Sequence, residues 1–275
     1  MAEGQVAVLT GCGSGIGQHL ANSLVAKGFR VVATDINCQA VEENAQKMDW
    51  KAEQVKIRPL DVRNPAEWQQ IIQLAADTWG KIDIVMNIAG YLRPGFIHET
   101  PTAQVDAHID TNTKGVILGT QAAAEFMVRQ GYGHIINIAS LAGIAPVPGL
   151  CLYVASKFAV RGFSLAVAQE LRPHGVYVTA VCPDLVQTPM LDLQLYYKEA
   201  AISFSGSKAL TVQDIEKAVM GKVLKQKPVE ILIPRHRGWL SKFANTFPGV
   251  SFAWGQQLAK KGLARQAQER EKRGL

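Results

Sequence analysis

Tyr153 and Lys157 stand four residues apart in the run Tyr153, Val154, Ala155, Ser156, Lys157. On a helix that spacing puts a phenol and an ammonium on one face, one turn apart. A cation so placed stabilises phenolate and draws a tyrosine from its ordinary pKa of about 10 toward the pH at which it exchanges protons. The spacing alone is common on helix surfaces. It gains meaning beside Ser140, which follows the apolar run 133–138, and Asn112 within a helical stretch.

A second cluster can bind rather than react. Thr10, Gly11, Cys12, Gly13, Ser14, Gly15, Ile16 and Gly17 follow an apolar run and lead directly into a helical pattern. Glycines permit the tight turn and close backbone approach, and the N–H groups and dipole of the helix start attract a pyrophosphate. Asp35 ends the second apolar run, where a carboxylate can accept both hydroxyls of an adenosine ribose and repel a 2′-phosphate. Neither Ser14 nor Ile36 is basic, so no cation stands at those two places to hold that phosphate; NAD is favoured over NADP. The competing reading of Asp35 is a cap for the helix starting near Cys38.

The elements that must position these residues are legible as β-branched runs alternating with stretches of helical period. Strands are expected over 6–9, 30–34, 55–59, 82–87, 133–138, 176–181 and 230–233, and helices over 16–27, 38–49, 65–79, 102–130, 152–173 and 211–221. The fold class is α/β: a single-domain, Rossmann-like doubly wound parallel sheet of seven strands with helices on both faces. Residues 1–234 form the dinucleotide-binding catalytic domain and 235–275 a C-terminal extension, while 184–210 reads as an ordered lid or binding loop.

Over nearly all of residues 1–234 the chain resembles the classical short-chain dehydrogenase/reductases, of the NAD-preferring type. The resemblance rests on Thr10-Gly11-x-x-x-Gly15-x-Gly17, Asp61-Val62, Asn87-Ile88-Ala89-Gly90, Asn112, Ser140, Tyr153-x-x-x-Lys157, and Pro183 with Thr188. It implies that Tyr153 is the general acid and base, that Ser140 holds the substrate oxygen, and that Lys157 binds the nicotinamide ribose and lowers the Tyr153 pKa. Asn112 would support a water relay from Lys157 to solvent. Gly11, Ser14, Gly15, Ile16, Gly17, Asp35 and Ile36 would hold the dinucleotide's phosphates and ribose. Asp61 and Val62 would meet the adenine, Asn87, Ala89 and Gly90 the adenosine side, and Pro183, Val186 and Thr188 the nicotinamide. The reaction implied is hydride transfer between nicotinamide and a secondary alcohol or ketone, without a metal. Two residues depart from the pattern: Ile88 stands where a second Asn is usual, and Asp184 follows Pro183 where Gly is usual.

Residues expected on the substrate side are mostly apolar: Ala142, Leu150, Cys151, Met190, Leu191 and Leu195, with Tyr91, Leu92, Val147, Tyr196 and Tyr197 nearby. Arg93 is the one obvious cation, so a lipophilic alcohol or ketone is favoured; the alternative is that these side chains pack the lid onto the core. Other readings of the whole are an NADP-dependent ketone reductase and a noncatalytic dinucleotide-binding sensor or scaffold. By resemblance, the helices over 102–130 and 152–173 pair with a second copy in a homodimer or homotetramer, with Ala122, Ala123, Ala124, Ala166 and Ala168 allowing close approach.

The chain has 275 residues, 48% of them hydrophobic and 19% charged, a composition of globular rather than disordered protein. No apolar run approaches the roughly 20 residues of a spanning helix, and no leader pattern precedes the first strand. Cys12, Cys38, Cys151 and Cys182 lie far apart without metal-ligand spacing and read as buried free thiols in a reducing cytoplasm. The net charge of +6 is concentrated: the last 41 residues hold nine Lys and Arg against two acids. No recognition motif argues for nucleic acid. Trp239, Leu240, Phe243, Phe247, Phe252 and Trp254 lie among those cations and could seat the protein peripherally on an anionic membrane. The plainer reading packs the aromatic face on its own domain or a second subunit, with 260–275 solvated or frayed.

Overall fold

The β-branched runs form β1 (Val6–Leu9), β2 (Arg30–Asp35), β3 (Val55–Pro59), β4 (Ile84–Asn87), β5 (Gly133–Ile138), β6 (Val176–Pro183) and β7 (Glu230–Ile233). The computed structural model describes residues 4–206 and 208–274, with side chains except at positions 250, 251, 253, 254 and 256; the Trp254 side chain thus lies outside the described residues. Among those described, the seven strands make one sheet ordered β3-β2-β1-β4-β5-β6-β7, each neighbouring pair parallel. Strands β1, β4 and β5 are buried at every position, as strands covered on both faces must be. The chain winds outward from β1 to β3 and then restarts at β4. That reversal opens a crevice at the carboxyl ends of β1 and β4.

The covering helices are α1 (Gly15–Ala26), α2 (Cys38–Lys47), α3 (Pro65–Trp79), α4 (Ala103–His108), α5 (Gly115–Gln130) and α6 (Cys151–Leu171). After these come α7 (Pro189–Gln194), α8 (Val212–Ala218), α9 (Leu224–Gln226), α10 (Arg235–Thr246) and α11 (Pro248–Lys272). Local chemistry sets several ends. The Asn37 and Asn64 side chains accept from Ala40 N and Ala66 N to start α2 and α3, and left-handed Gly80 and Gly131 stop α3 and α5. One core layer packs Leu20 and Leu24 of α1 with Ile136, Val181 and Ile215; the other packs Trp68, Ile71 and Ile72 of α3 with Val85 and Ile135.

Several expectations are revised. The helix expected over 102–130 is α4 and α5 joined by a π-helical stretch, Ile109–Lys114, and that expected over 211–221 runs through π-helical Val219–Val223 into α9. Apolar period does not register the one extra residue that widens a turn. The lid contains α7 and a 3-10 stretch, Lys198–Ser205. Residues 260–272 are not frayed but continue α11, one side of which is docked on the lid. Gly262 lies so close that a Cβ there would be 1.9 Å from the Ala201 carbonyl oxygen. Gln266, which is buried, donates to the carbonyls of Gln194 at 2.7 Å and Tyr197 at 2.8 Å. Only Cys12 and Cys182 are buried; Cys38 and Cys151, also free, are half-buried at helix starts. Cys151–His174 is long enough to cross a membrane and holds an 18-residue stretch apolar enough to do so, with mean hydropathy 1.3, contrary to the reading of the runs; this is the helix that carries Tyr153 and Lys157 along β6. Ala122, Ala123 and Ala168 are packed inside their own subunit, so close approach of a second copy through them is not available.

Candidate active site

The loop after β1 is held by its neighbours. Thr10 Oγ1 accepts from the N–H groups of Ile88 and Ala89 at 2.9 and 3.0 Å, tying the loop to the end of β4. Gly17 faces the Gly11 carbonyl oxygen, where a Cβ would lie at 2.0 Å, and left-handed Gly11 (φ 70°) passes Ala89 so closely that its Cβ would meet Ala89 N at 3.0 Å. Only glycines permit this fold of the loop. Ser14 caps α1 by position without a side-chain hydrogen bond, leaving first-turn N–H groups of the helix for an anion. Asp35 accepts from Gly13 N and Asn37 N, each at 2.8 Å, so its carboxylate sits against the loop and does not cap α2, a place taken by Asn37. Ile36 is exposed beside it. A glycine cradle, a helix start and a carboxylate at the end of β2 suit a dinucleotide.

Other residues expected to contact the dinucleotide lie differently. The Asn87 side chain is buried and donates to Asn137 Oδ1 at 2.8 Å and Thr120 Oγ1 at 3.3 Å, so it joins β4 to β5 and α5 and does not line the adenosine side. Asp61 is gripped by Arg63 through several hydrogen bonds, which hold its carboxyl below the usual carboxylate range. Val62 is buried against Gly115 and its carbonyl accepts from Trp68 Nε1. Ala89 is half-buried on the loop, and Gly90 faces Asn112 and Lys157.

Ser140, Tyr153 and Lys157 converge on one cavity of about 520 Å³, which Ile16, Gly90, Pro183, Val186 and Thr188 also line. Ser140 Oγ donates to the Pro183 carbonyl at 3.4 Å and accepts from Ala142 N at 3.1 Å. The protein crowded round the Tyr153 hydroxyl pushes the phenol up to about 12, against a downward pull from its hydrogen bond with Ser140. Burial brings Lys157 down to about 8. Its Nζ lies 5.6 Å from the Tyr153 ring centroid and donates to the Ile138 carbonyl at 2.8 Å. The Tyr153 phenol is thus displaced upward and not downward as expected, because burial is the larger cause and the opposing pull comes from Ser140 and not from Lys157. Asn112, in the π-helical stretch, donates to the Tyr91 carbonyl at 2.8 Å and to Ser156 Oγ at 2.9 Å, and accepts from Tyr91 N at 2.6 Å. It clamps the segment after β4 to α6.

Of the expected substrate residues, Ala142, Leu150, Met190 and Leu191 line the cavity beside Ser140 and Tyr153. Leu195 does not; it is buried among Leu92, Leu150 and Phe204. Cys151 is also outside the lining, as are Tyr91, Tyr196, Tyr197 and Arg93, whereas Leu92 and Val147 belong to it. The sequence reading missed one wall altogether. Arg237, Leu240, Ser241 and Ala244 of α10, with Phe252, Leu258 and Lys261 of α11, face the same cavity. Asp184, the residue standing where glycine is usual, is in ion-pair contact with Arg237, whose Nε makes no aligned hydrogen bond. Burial raises the Asp184 carboxyl, and Arg237 opposes that shift. Helical spacing marked Leu240 as part of a face with Trp239, Phe243 and Phe247, none of which lines the cavity, while Ser241, Ala244, Leu258 and Lys261 carried no such mark; nothing local said which surface the tail would meet.

The comparisons agree with this architecture. Residues 5–195 match the family model described as short chain dehydrogenase. The chain is 35% identical over 227 residues to an uncharacterized oxidoreductase of Staphylococcus aureus strain USA300, spanning 82% of this chain and 94% of that protein. It is also 35% identical over 196 residues to 2-(R)-hydroxypropyl-CoM dehydrogenase of Xanthobacter autotrophicus, spanning 70% of this chain and 78% of that one. A short-chain dehydrogenase/reductase from Burkholderia phymatum, solved in complex with NAD, shares the fold with a TM-score of 0.81 at 24% identity, covering 90% of this chain and 95% of its own. The structure of ElxO with NADP bound does so with a TM-score of 0.75 at 24% identity, covering 83% and 96%. With a family match over most of its length and relatives at this identity, the chain belongs to the short-chain dehydrogenase/reductase family.

Proposed function

We propose that this protein is an oxidoreductase that moves a hydride between a nicotinamide dinucleotide, NAD in preference to NADP, and a lipophilic secondary alcohol or ketone. The observation that carries the reading is the convergence of Ser140, Tyr153 and Lys157 on a largely apolar cavity that begins beside the start of α1. Bound NAD supplies the hydride acceptor. The chain's residues handle the proton and the substrate oxygen: Ser140 holds the oxygen, and Tyr153 exchanges its proton. With its phenol near 12, Tyr153 is protonated at neutral pH, the form that donates to a carbonyl in reduction. Oxidation requires phenolate, and a Lys157 cation, whose Nζ lies 5.6 Å from the Tyr153 ring centroid, would have to move closer to the hydroxyl to favour it. Asp35 supports NAD because its charge repels a 2′-phosphate and no basic side chain stands at Ser14 or Ile36. A homodimer or homotetramer through α5 and α6 accompanies this reading, since 28% of the most apolar window of Cys151–His174 is buried within the chain. The family's chemistry and the thiols suit a cytoplasmic setting.

The test follows reduced-nicotinamide absorbance with NAD or NADP and secondary alcohols graded from small and polar to steroid-sized, and with the matching ketones. NAD-linked turnover that rises with apolar size and is lost in Tyr153→Phe is expected. Tight dinucleotide binding without turnover on any of them would defeat the enzymatic reading in favour of a sensor, and NADP-linked turnover would defeat the role of Asp35.

A further inference from the structure

Trp239, Leu240, Phe243 and Phe247 recur at i, i+1, i+4 and i+8, which places them on one face along α10 and its end. All four, with Phe252 of α11, are half or more exposed, Phe252 to 79%. Phe243 and Phe247 contact each other with tilted rings, centroids 5.0 Å apart. The cavity reaches this face: Leu240 and Phe252 belong both to its lining and to the exposed apolar set, with Lys261 beside them. Side chains that rim the substrate cavity thus continue into an exposed aromatic surface.

Along the chain that builds that surface the charge has one sign. From Arg235 to Gln268 the chain contains six Lys and Arg and no Asp or Glu. Arg237 and Lys242 meet Asp184 and Glu230. Arg235, Lys260 and Lys261 have no ion-pair partner among the described residues and are exposed. The acids Glu269 and Glu271 lie about 25 Å or more along α11 from Phe252. Aromatics flanked by uncompensated cations match the interface of an anionic bilayer, where indole and phenyl rings settle among headgroups while Lys and Arg meet phosphate.

We infer that the α10 and α11 aromatic face docks peripherally on anionic lipid, with the cavity mouth at the membrane surface. Delivery of a bilayer-dissolved substrate through that mouth rests on the function proposed above; lipid binding itself does not. The test is flotation of the full-length protein with vesicles of phosphatidylcholine, with and without phosphatidylglycerol, alongside mass by light scattering. The wild type is expected to float with the anionic vesicles and to be released at about 0.5 M salt. A Trp239→Ser, Phe243→Ser, Phe247→Ser triple variant, altered only at exposed positions outside the cavity lining, should partition roughly tenfold or more weakly while keeping its mass and its turnover of a small water-soluble ketone. Equal partition of variant and wild type, or no flotation of either, would overturn the inference. So would a fall in the variant's mass, which would assign the face to a second copy of the chain. Flotation needs no turnover, so failure here leaves the hydride-transfer reading standing, and loss of turnover leaves the lipid result standing.

Discussion

Replacing Gly262 by alanine should unseat the C-terminal helix from the lid. A Cβ at 262 would lie 1.9 Å from the Ala201 carbonyl oxygen, so α11 must retreat by about 1 Å to reach the shortest contact that real Cβ atoms make. The displaced atom is lid backbone, which cannot swing aside as a side-chain tip could. Retreat stretches both hydrogen bonds from buried Gln266, to Gln194 O and Tyr197 O. At about 1 kcal/mol each, with some lost packing, the cost is roughly 2–3 kcal/mol. Since α11 can lift while the sheet stays folded, that cost appears as a roughly 30- to 150-fold larger population of the lifted tail. Limited trypsin digestion at Lys260, Lys261 and Arg265, under conditions where opening is fast relative to cleavage, reads this population directly. The control is Gly249→Ala in the same helix, where a Cβ meets nothing within 4 Å. Cleavage of Gly262→Ala at the wild-type rate would refute the seating of α11 on the lid.

Further consequences are open to measurement. Asp35→Ser should raise the ratio of kcat/KM for NADP over NAD by about tenfold or more, because a carboxylate that repels a 2′-phosphate is gone; steady-state kinetics with both cofactors reads it, and an unchanged ratio would exclude Asp35 as the discriminator. Hydrogen bonds from Ser23, Lys27 and His19 hold Glu216 at about 2, below its ordinary 4.5. A depressed carboxylate stabilises the fold above its unfolded pKa and ceases to do so as pH falls through the folded one. Urea midpoints should therefore drop between about pH 4.5 and 2, and less steeply in Glu216→Gln, which at neutral pH should cost about 1–2 kcal/mol; parallel pH profiles would count against this. Asn112→Ala should lower kcat and also loosen the segment after β4, seen as faster amide exchange at Tyr91, whose N–H it accepts at 2.6 Å; protected exchange would remove its clamping role.

The centre of the sheet was readable because β1, β4 and β5 are short apolar runs, the composition that burial on both faces demands, whereas edge strand β3 mixes Lys56 and Arg58 into its run and is only partly buried. Ser140, Tyr153 and Lys157 were readable for a related reason: a strand end and one helical turn bring them together with little help from elsewhere. Features set by distant contacts were not. Asn87 looks like a groove residue until Asn137 and Thr120, 50 and 33 residues away, are seen to engage it. Leu195 has the character of a pocket residue but is enclosed where lid residues pack against Leu92 and Leu150. The π-helical stretch at Asn112 has no apolar signature, and the wall contributed by α10 and α11 depends on a docking surface that sequence period cannot name.

The contact between Asp184 and Arg237 has a hereditary side. A carboxylate in place of glycine beside the β6 end would be buried without its cation if α10 were absent, and Arg237 would face an apolar cavity if residue 184 were glycine. Each residue makes sense only in company with the other. Among descendants of the same ancestor, the acid after Pro183 and the arginine at the start of the tail should be gained and lost together, and a chain that ends near β7 should have returned to glycine.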